Sequence, residues 1–203
     1  MVRRRRSPEE ARAEILAASR RLLADDGPQA IRLKRVGQEA GVSHSLVTHY
    51  FGTVDGLLEE TFASFIRELR VEMLTRLQDS EDLEGIVGAL FDALTHPLYA
   101  RLAAWALLSG RVDTADFAPA REQGSRLVLD VVERRLEQSG LRPERDDLEQ
   151  TYVAVLSTAF GYSLSRRLLW EGLGKEATEA RDRVFRRRLV AMAKDSLGLS
   201  DEA

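Results

Sequence analysis

The chain has 203 residues, of which 44% are hydrophobic and 31% are charged, and its formal net charge is −3. It contains no cysteine, which excludes disulfide bonds and thiolate metal sites, and no apolar run approaches the ~20 residues of a membrane-spanning helix. This length suits one small and one medium domain, and we expect a cytoplasmic protein without a membrane segment.

Basic residues are concentrated at the start of the chain. Residues 1–53 contain 10 Lys and Arg against 6 Asp and Glu, a balance of +4, whereas the other 150 residues have a balance of −7. The asymmetry predicts a small module for a polyanion attached to a larger acidic domain. We place the domain boundary between 53 and 54, which gives domains of residues 1–53 and 54–203.

The first predicted helix follows a basic arm of four consecutive arginines, Arg3, Arg4, Arg5 and Arg6. Such an arm is able to enter a minor groove of DNA. The alternative is a solvated tail in the free protein, and both descriptions hold if the arm becomes ordered on DNA. Ser7 is the expected N-cap, with Pro8 in the first helical position and Glu10 completing a capping box. The helix should end at Asp25-Asp26-Gly27-Pro28.

Residues 33–51 are typical of two short helices joined by a tight turn, and they predict a helix-turn-helix. The turn is Ala40-Gly41-Val42-Ser43, where Gly41 suits a left-handed backbone and Ser43 caps the second helix. Gly37 and Val47 should face each other, and the buried seam is completed by Val36, Ala40 and Val42. An ordinary helical hairpin is the alternative, because similar turns join helices that never contact nucleic acid.

The outer face of the second short helix carries short side chains with hydrogen-bonding groups, which suit a DNA groove. We predict that it is the recognition surface. The candidate DNA-binding residues, beside the arm, are Arg32, Lys34, Ser43, His44, Ser45, Thr48, His49 and Tyr50.

Residues from about 8 to 60 resemble the amino-terminal domain of the TetR family of transcriptional regulators. The resemblance is carried, in order, by Ile15-Leu16, Leu22-Leu23 before Gly27, the turn at Gly41, His49-Tyr50-Phe51 and Leu57-Leu58. It implies a three-helix DNA-binding domain and a larger helical effector-binding domain. It also implies a homodimeric repressor that leaves a palindromic operator when a small molecule binds.

Four positions depart from the pattern of the family. Ile31-Arg32 stands where family members usually carry a threonine, and His44 stands where Lys, Arg or a similar residue is frequent. Thr48 replaces a common aromatic residue, and Val54 replaces a common lysine near the fourth helix, which Thr53 should cap. Because fewer side chains are then available for phosphates, we expect DNA binding that is weaker and more dependent on the arm than in a lysine-rich relative.

The rest of the chain reads as helix, with no persistent strand alternation. We expect a long helix from about Val54 to Gln78 joining the domains, and a second one opening at Asp79-Ser80 and ending near Leu94. Further helices are predicted at 97–108, 145–171 and 176–197. A loop at 110–119 should lead into another helix that ends near 139. The chain is therefore predicted to be all-α.

A stripe of small residues in the helix at 145–171 allows close approach of another helix. It consists of Ser157, Gly161 and Ser165, and its expected partner on the last helix includes Ala177, Ala180 and Val184. We interpret these as a four-helix dimer interface; intramolecular packing is the alternative. A dimer is also needed to read two half-sites about 34 Å apart.

The effector is expected to be a largely apolar small molecule of unknown identity, held by aromatic residues and a few polar groups of the middle helices. The candidates are Phe91, His96, Tyr99, Trp105, Tyr152, Phe160 and Trp170. His96 has an alternative as a residue at a helix end that bonds to backbone.

Two other classes of function compete with this prediction. An enzyme is disfavoured because the sequence has no cysteine nucleophile, no HExxH motif and no glycine-rich phosphate loop. His44 and His49 are five residues apart and poorly placed to share a metal, so we predict no catalytic residue, metal or cofactor. A DNA-binding regulator without small-molecule control, as a constitutive repressor, an activator or a sensor of a protein partner, remains open.

Overall fold

The computed structural model describes residues 7–80, 82–110 and 118–199, so the arginines of the basic arm lie outside the described residues. Every long regular element in these ranges is an α-helix, which confirms the all-α prediction. None of the described helices is long and apolar enough to cross a membrane. The helices are α1 (Pro8–Asp26), α2 (Leu33–Ala40), α3 (His44–Phe51), α4 (Val54–Asp79), α5 (Leu83–Leu94), α6 (Pro97–Leu108), α7 (Ala118–Gln138), α8 (Arg145–Gly172) and α9 (Glu179–Ser196).

The chain divides into two compact units. The first comprises Met1–Arg67 with Arg101–Ser109, and the second comprises Glu68–Ala100 with Gly110–Ala203. Helices α4 and α6 therefore each contribute residues to both units. The division into domains of 1–53 and 54–203 stays a prediction.

The first turn of α1 has the predicted capping box. The Ser7 hydroxyl accepts a hydrogen bond from the Glu10 amide at 3.1 Å, and the Glu10 carboxylate accepts one from the Ser7 amide at 2.8 Å. Pro8 occupies the first position of the helix, where an amide proton would have no partner. The apolar face that follows forms part of the core of the first unit and is buried at Ala11, Ile15, Ala18 and Leu22.

Helix α1 is held to the first half of α4 by hydroxyl groups. Ser19 and Thr61 are both fully buried, and their hydroxyl oxygens are 3.1 Å apart. Thr61 also bonds the carbonyl of Leu57 at 2.7 Å, and Arg20 donates to the Ser64 hydroxyl at 2.6 Å. Because a buried hydroxyl without a partner is costly, these bonds fix the register of α4 against α1.

Arg101 of α6 caps the carboxyl end of α1, also within the first unit. Its guanidinium donates to the carbonyl of Leu23 at 3.1 Å and to the carbonyl of Ala24. The last turn of α1 contains no basic residue of its own. The Leu23 carbonyl also accepts from the Gly27 amide at 3.1 Å, so Arg101 adds a second hydrogen bond there. It also places a positive charge at the negative end of the helix dipole.

We expect Arg101→Met to lower the free energy of unfolding by about 1 kcal/mol, since two charge-assisted hydrogen bonds to α1 are lost at an exposed position. Thermal unfolding of the variant measures this as a melting temperature lower by roughly 2–4 °C. Arg134→Met is the matched control, because among the described residues the Arg134 guanidinium bonds a carbonyl of its own helix and no other helix. Equal melting temperatures of the two variants would show that the cap contributes nothing.

The second unit has its own hydrophobic core, formed by α5, α7, α8 and α9 with the end of α4. Two helix starts differ from the prediction here. Helix α5 begins at Leu83 rather than near Ser80, because Asp82 caps it by accepting from the Gly85 amide at 2.8 Å. Helix α9 begins at Glu179 rather than near Glu176, with Thr178 as its N-cap. In both cases the helix begins after an N-cap residue that lies later in the chain than the residues from which its start was predicted.

Candidate nucleic-acid interface

The turn between α2 and α3 has the geometry expected from the sequence. Gly41 adopts the left-handed conformation, with φ 65° and ψ 34°, which a residue with a Cβ enters only at a cost. The Val42 amide donates to the carbonyl of Gly37 at 2.9 Å and closes the turn. This bond ends α2 and directs the chain into α3 within three residues.

Helices α2 and α3 approach closely at Gly37. A Cβ on Gly37 would lie 3.1 Å from the Val42 carbonyl oxygen and 3.4 Å from Cγ2 of Val47, which is tighter than most side chains allow. Val36, Ala40 and Val47 are buried as predicted, whereas Val42 is half-buried. The close packing between α2 and α3 therefore holds the two helices in one fixed arrangement.

The outer face of α3 is exposed and hydrogen-bonded within itself. The Ser43 hydroxyl accepts from the Leu46 amide at 3.2 Å, which confirms the predicted cap, and lies 2.9 Å from the Ser45 hydroxyl. Thr48 donates its proton to the carbonyl of His44 at 3.0 Å, so its oxygen remains an acceptor. Together with the exposed rings of His44 and His49, these groups form a row of donors and acceptors on one helix face.

Tyr50 lies at the border of this face and is half-buried. Its ring centroid is 5.5 Å from that of His49 and 6.2 Å from that of the buried Phe51. The Arg12 guanidinium lies 5.4 Å from the centroid of Phe51 and pairs with Glu60 at 2.9 Å. The carboxyl end of α3 is thereby anchored to α1 and α4.

Several basic side chains near α2 already have partners. Arg35 pairs with Asp26 at 2.5 Å and Arg21 pairs with Glu39 at 3.0 Å. Arg32 is exposed, but its guanidinium donates to the carbonyls of Gln29 and Ile31 at 2.9 and 2.7 Å. A phosphate would have to compete with these carbonyls for Arg32.

The corner between α3 and α4 is also tightly built. The Thr53 hydroxyl accepts from the Gly56 amide at 3.0 Å, as the predicted cap requires, and a Cβ on Gly56 would overlap the Phe51 carbonyl oxygen. The first turn of α4 is thus fixed to the end of α3. Any movement of the start of α4 would be transmitted to the outer face of α3.

A second exposed surface lies on α8 and α9, in the other unit. Ser157 and Gly161 are exposed, and a Cβ on Gly161 would meet nothing within 4 Å in the described part of the chain. Ser165 is half-buried, and its hydroxyl donates to the Gly161 carbonyl at 2.6 Å. Packing against the described residues therefore does not account for the stripe at Gly161, and the dimer interface stays a prediction.

The same surface exposes many large apolar side chains. Leu168 is 73% exposed, and it is accompanied by Val153, Leu164, Val184 and Met192. Ala180 is exposed as well, whereas Ala177 is half-buried and its carbonyl accepts from Arg166 at 3.1 Å. Large exposed apolar side chains in such number are typical of an interaction site.

The candidate effector residues fall into separate places. The rings of Tyr99 and Phe160 are in edge-to-face contact, with their centroids 6.2 Å apart. Tyr99 and Tyr152 both pack against the hydrophobic core of the second unit. Phe91 is buried elsewhere in that core. Trp105 belongs to the first unit, and His96 is exposed at the start of α6, where its Nδ1 accepts from the Leu98 amide at 3.2 Å.

An aromatic and ionic cluster between α8 and α9 was not predicted. The rings of Tyr162 and Phe185 stack at 3.8 Å, and Phe91 lies 6.2 Å from Phe185. The Tyr162 hydroxyl donates to Asp182 at 2.7 Å and accepts from the Trp170 indole at 3.1 Å. The indole N–H of Trp170 is thus already hydrogen-bonded within the protein.

Beside this cluster is an open groove of about 340 Å³ within the second unit. Trp170 is the candidate effector residue that lines it, while Ala180 and Val184 belong to the predicted dimer interface. Its lining residues are Trp170, Thr178, Ala180, Arg181, Val184, Phe185 and Arg188.

Comparison with known proteins supports a regulatory role for the first unit. Residues 15–61 match the family of bacterial regulatory proteins called the tetR family. Over 86 residues the chain is 35% identical to the HTH-type transcriptional regulator BetI of Burkholderia cenocepacia. The matched region covers 40% of this chain and 44% of BetI. A BetI from Burkholderia mallei has the same identity and coverage. The chain thus matches less than half the length of these relatives.

Solved structures share the fold along nearly the whole chain. A TetR family transcription regulator from Marinobacter aquaeolei covers 92% of this chain, and the chain covers 95% of it, with a TM-score of 0.66 and 21% identity. A bacterial regulatory protein in the tetR family from Rhodococcus RHA1 has a TM-score of 0.65 and 20% identity, with coverage of 95% and 99%. At these identities the likeness concerns the fold.

Proposed function

Because the chain belongs to the TetR family of bacterial regulatory proteins, we propose that it is a transcriptional repressor that binds a palindromic operator as a homodimer and is released by a small molecule. The observation that carries the DNA-binding part is the exposed polar face of α3, fixed against α2 at Gly37 and Gly41. A rigid helix with short donors and acceptors suits the edges of bases in a major groove.

The homodimer is supported by the apolar face of α8 and α9. No atom of the described residues lies within 4 Å of a Cβ on Gly161, and Leu168 is largely exposed. A second copy of the same face would bury these residues, and a two-fold axis between the copies would present two α3 helices to two half-sites. The stripe of small residues permits close approach of the helices.

Release by a small molecule would require that the ligand bind one arrangement of the dimer more tightly than the other. Helices α4 and α6 are the proposed connection, since each contributes residues to both units. Within the first unit, α4 is fixed to α1 through Thr61 and α6 is fixed to α1 through Arg101. A shift of α4 or α6 would therefore displace α1 and, with it, the outer face of α3.

The proposal is tested by selecting bound fragments from the source organism's DNA with purified protein at two salt concentrations. The wild type is compared with a His44→Ala, Thr48→Ala variant and with Glu137→Ala, a control at an exposed residue of α7. We expect a short palindrome with the wild type and the control, and its loss in the double variant, since each good base contact contributes about 1–3 kcal/mol. Salt-sensitive binding without a shared sequence, equal in all three proteins, would contradict a sequence-specific regulator.

A further inference from the structure

The open groove on α8 and α9 has the size and the lining of a small-molecule site. Its volume of about 340 Å³ is in the range of such sites, and most of its lining is aromatic or aliphatic. The charged groups among its described lining residues are two guanidinium groups, and none of these residues carries a carboxylate. The apolar residues are Trp170, Ala180, Val184 and Phe185, and the cations are Arg181 and Arg188.

Arg188 brings an unpaired positive charge to the groove. Its side chain is exposed, and its guanidinium has no hydrogen bond or ion pair within the described part of the chain. Arg186 of the same helix, by contrast, lies 3.6 Å from the Asp92 carboxylate. An anion in the groove would therefore bind Arg188 without displacing a carboxylate.

Arg181 contributes a second positive charge at the wall of the groove. Its Nε donates to the Glu176 carbonyl at 2.9 Å, and its Cζ lies 5.1 Å from the centroid of the Trp170 ring. Both of these partners are neutral, so neither cancels the charge of the guanidinium. Arg181 thus raises the electrostatic potential of the groove, while Arg188 is the group available for direct contact.

The aromatic wall of the groove is held in place by hydrogen bonds and stacking. The Trp170 indole donates to the Tyr162 hydroxyl at 3.1 Å, which donates to Asp182 at 2.7 Å and stacks on Phe185. Burial raises the pKa of Tyr162, so this hydroxyl stays a donor at neutral pH. Asp182 pairs with Arg166 at 3.0 Å, which balances its charge outside the groove. Because Trp170 and Phe185 are fixed before a ligand arrives, little ordering is needed on binding.

This combination selects an amphipathic anion. The apolar side chains favour an alkyl or aryl body, which loses contact with water in the groove. A guanidinium binds the oxygens of a carboxylate or phosphate through charge-assisted hydrogen bonds. A cationic ligand would find no partner among the described lining residues, and a neutral one would leave the charge of Arg188 unpaired.

We propose that the groove on α8 and α9 binds an apolar molecule with one carboxylate or phosphate group, which Arg188 anchors, and that this anion competes with the second copy of the chain. Ala180 and Val184 line the groove and also belong to the proposed dimer interface. The same side chains cannot contact both the anion and a second copy, so binding of the anion weakens the dimer. This regulatory part rests on the proposed function and assigns a chemical class to a molecule that releases the operator.

Binding is measured by fluorescence in a Trp105→Phe background, in which Trp170 is the remaining one of the two tryptophans. The probes are octanoate and octyl phosphate, with octanamide and octylammonium as neutral and cationic counterparts. The test variant is Arg188→Glu. Arg187→Glu is the matched control, because Arg187 is the adjacent exposed arginine of α9 and does not line the groove. Circular dichroism and melting temperatures verify that each variant is folded.

We expect at least one of the two anions to shift the emission of Trp170 to shorter wavelength with saturation, and its neutral and cationic counterparts to bind at least about tenfold more weakly. Arg188→Glu should weaken binding of the anion about tenfold or more, and Arg187→Glu about threefold at most, because salt screens the more distant charge. Equal binding of anions and octanamide, equal effects of the two variants, or no saturable shift with either anion would overturn the site.

Sedimentation velocity of the wild type measures the competition. A saturating concentration of the anion that binds should shift the protein from dimer to monomer at low micromolar concentration, and octanamide at the same concentration should not. If the anion binds through Arg188 while the dimer persists, the second copy does not cover the groove and the regulatory part is wrong.

A failure of this inference is distinguishable from a failure of the proposed function. If neither anion binds but the wild type is a dimer that selects a palindrome, the groove site is wrong and the repressor stands. If the protein is a monomer without any probe, or selects no palindrome, the proposed function is wrong and the regulatory part falls with it. The fluorescence titration then still decides whether the groove binds an amphipathic anion.

Discussion

Replacing Arg3, Arg4, Arg5 and Arg6 with glutamine should lower the affinity for the operator by about 10²-fold at 0.1 M salt. Each phosphate contact contributes about 0.9 to the slope of log affinity against log salt concentration, so two lost contacts account for this loss. The reason lies in the described residues around α2. Arg35 and Arg21 are paired with carboxylates, and Arg32 is bonded to carbonyls.

The salt dependence is the decisive measurement. Titrations of the operator at several salt concentrations should show a slope that is smaller in magnitude by about 2 in the glutamine variant. A variant with four lysines is the matched control, since it keeps the charge and the length of the arm. If the glutamine variant has the slope and affinity of the wild type, the arm does not contact DNA and the charge must come from elsewhere.

The local features of the DNA-binding unit were predictable from the sequence because their causes are local. Gly41 and Ser43 determine the turn and the cap through conformational preferences of single residues, and Gly37 and Val47 are brought together by this turn. Ser7 and Glu10 likewise form a capping box within one helical turn. In each case the partners are within ten residues of each other.

Contacts between distant helices were not predictable in the same way. Arg101 bonds a carbonyl 78 positions earlier, and Tyr162 bonds Asp182 on the next helix. Helical periodicity tells which face of a helix is apolar, but not which helix packs on it or with what rotation. For the same reason the aromatic candidates for the effector site, predicted as one group, lie in several places.

Gly161→Leu should convert the protein from a dimer to a monomer at low micromolar concentration. The leucine would project from the stripe of small residues where a second copy is proposed to approach, and overpacking at a close helix contact is destabilising. The described part of the monomer has open space at this position, and leucine is a better helix former than glycine by about 0.5–1 kcal/mol. The variant should therefore remain folded.

Sedimentation velocity measures the state of association, and an operator titration measures its consequence. Loss of the dimer should weaken binding by about 10²–10⁴-fold, because the second half-site is then no longer bound within the same molecule. Glu137→Leu on α7 is the control, since it also adds an exposed leucine but lies away from the proposed interface. Leu168→Glu should act like Gly161→Leu, because it places a charge on the same surface, where Leu168 is 73% exposed. If both α8 variants sediment as dimers, the two copies associate through another surface and the apolar face of α8 and α9 has a different partner.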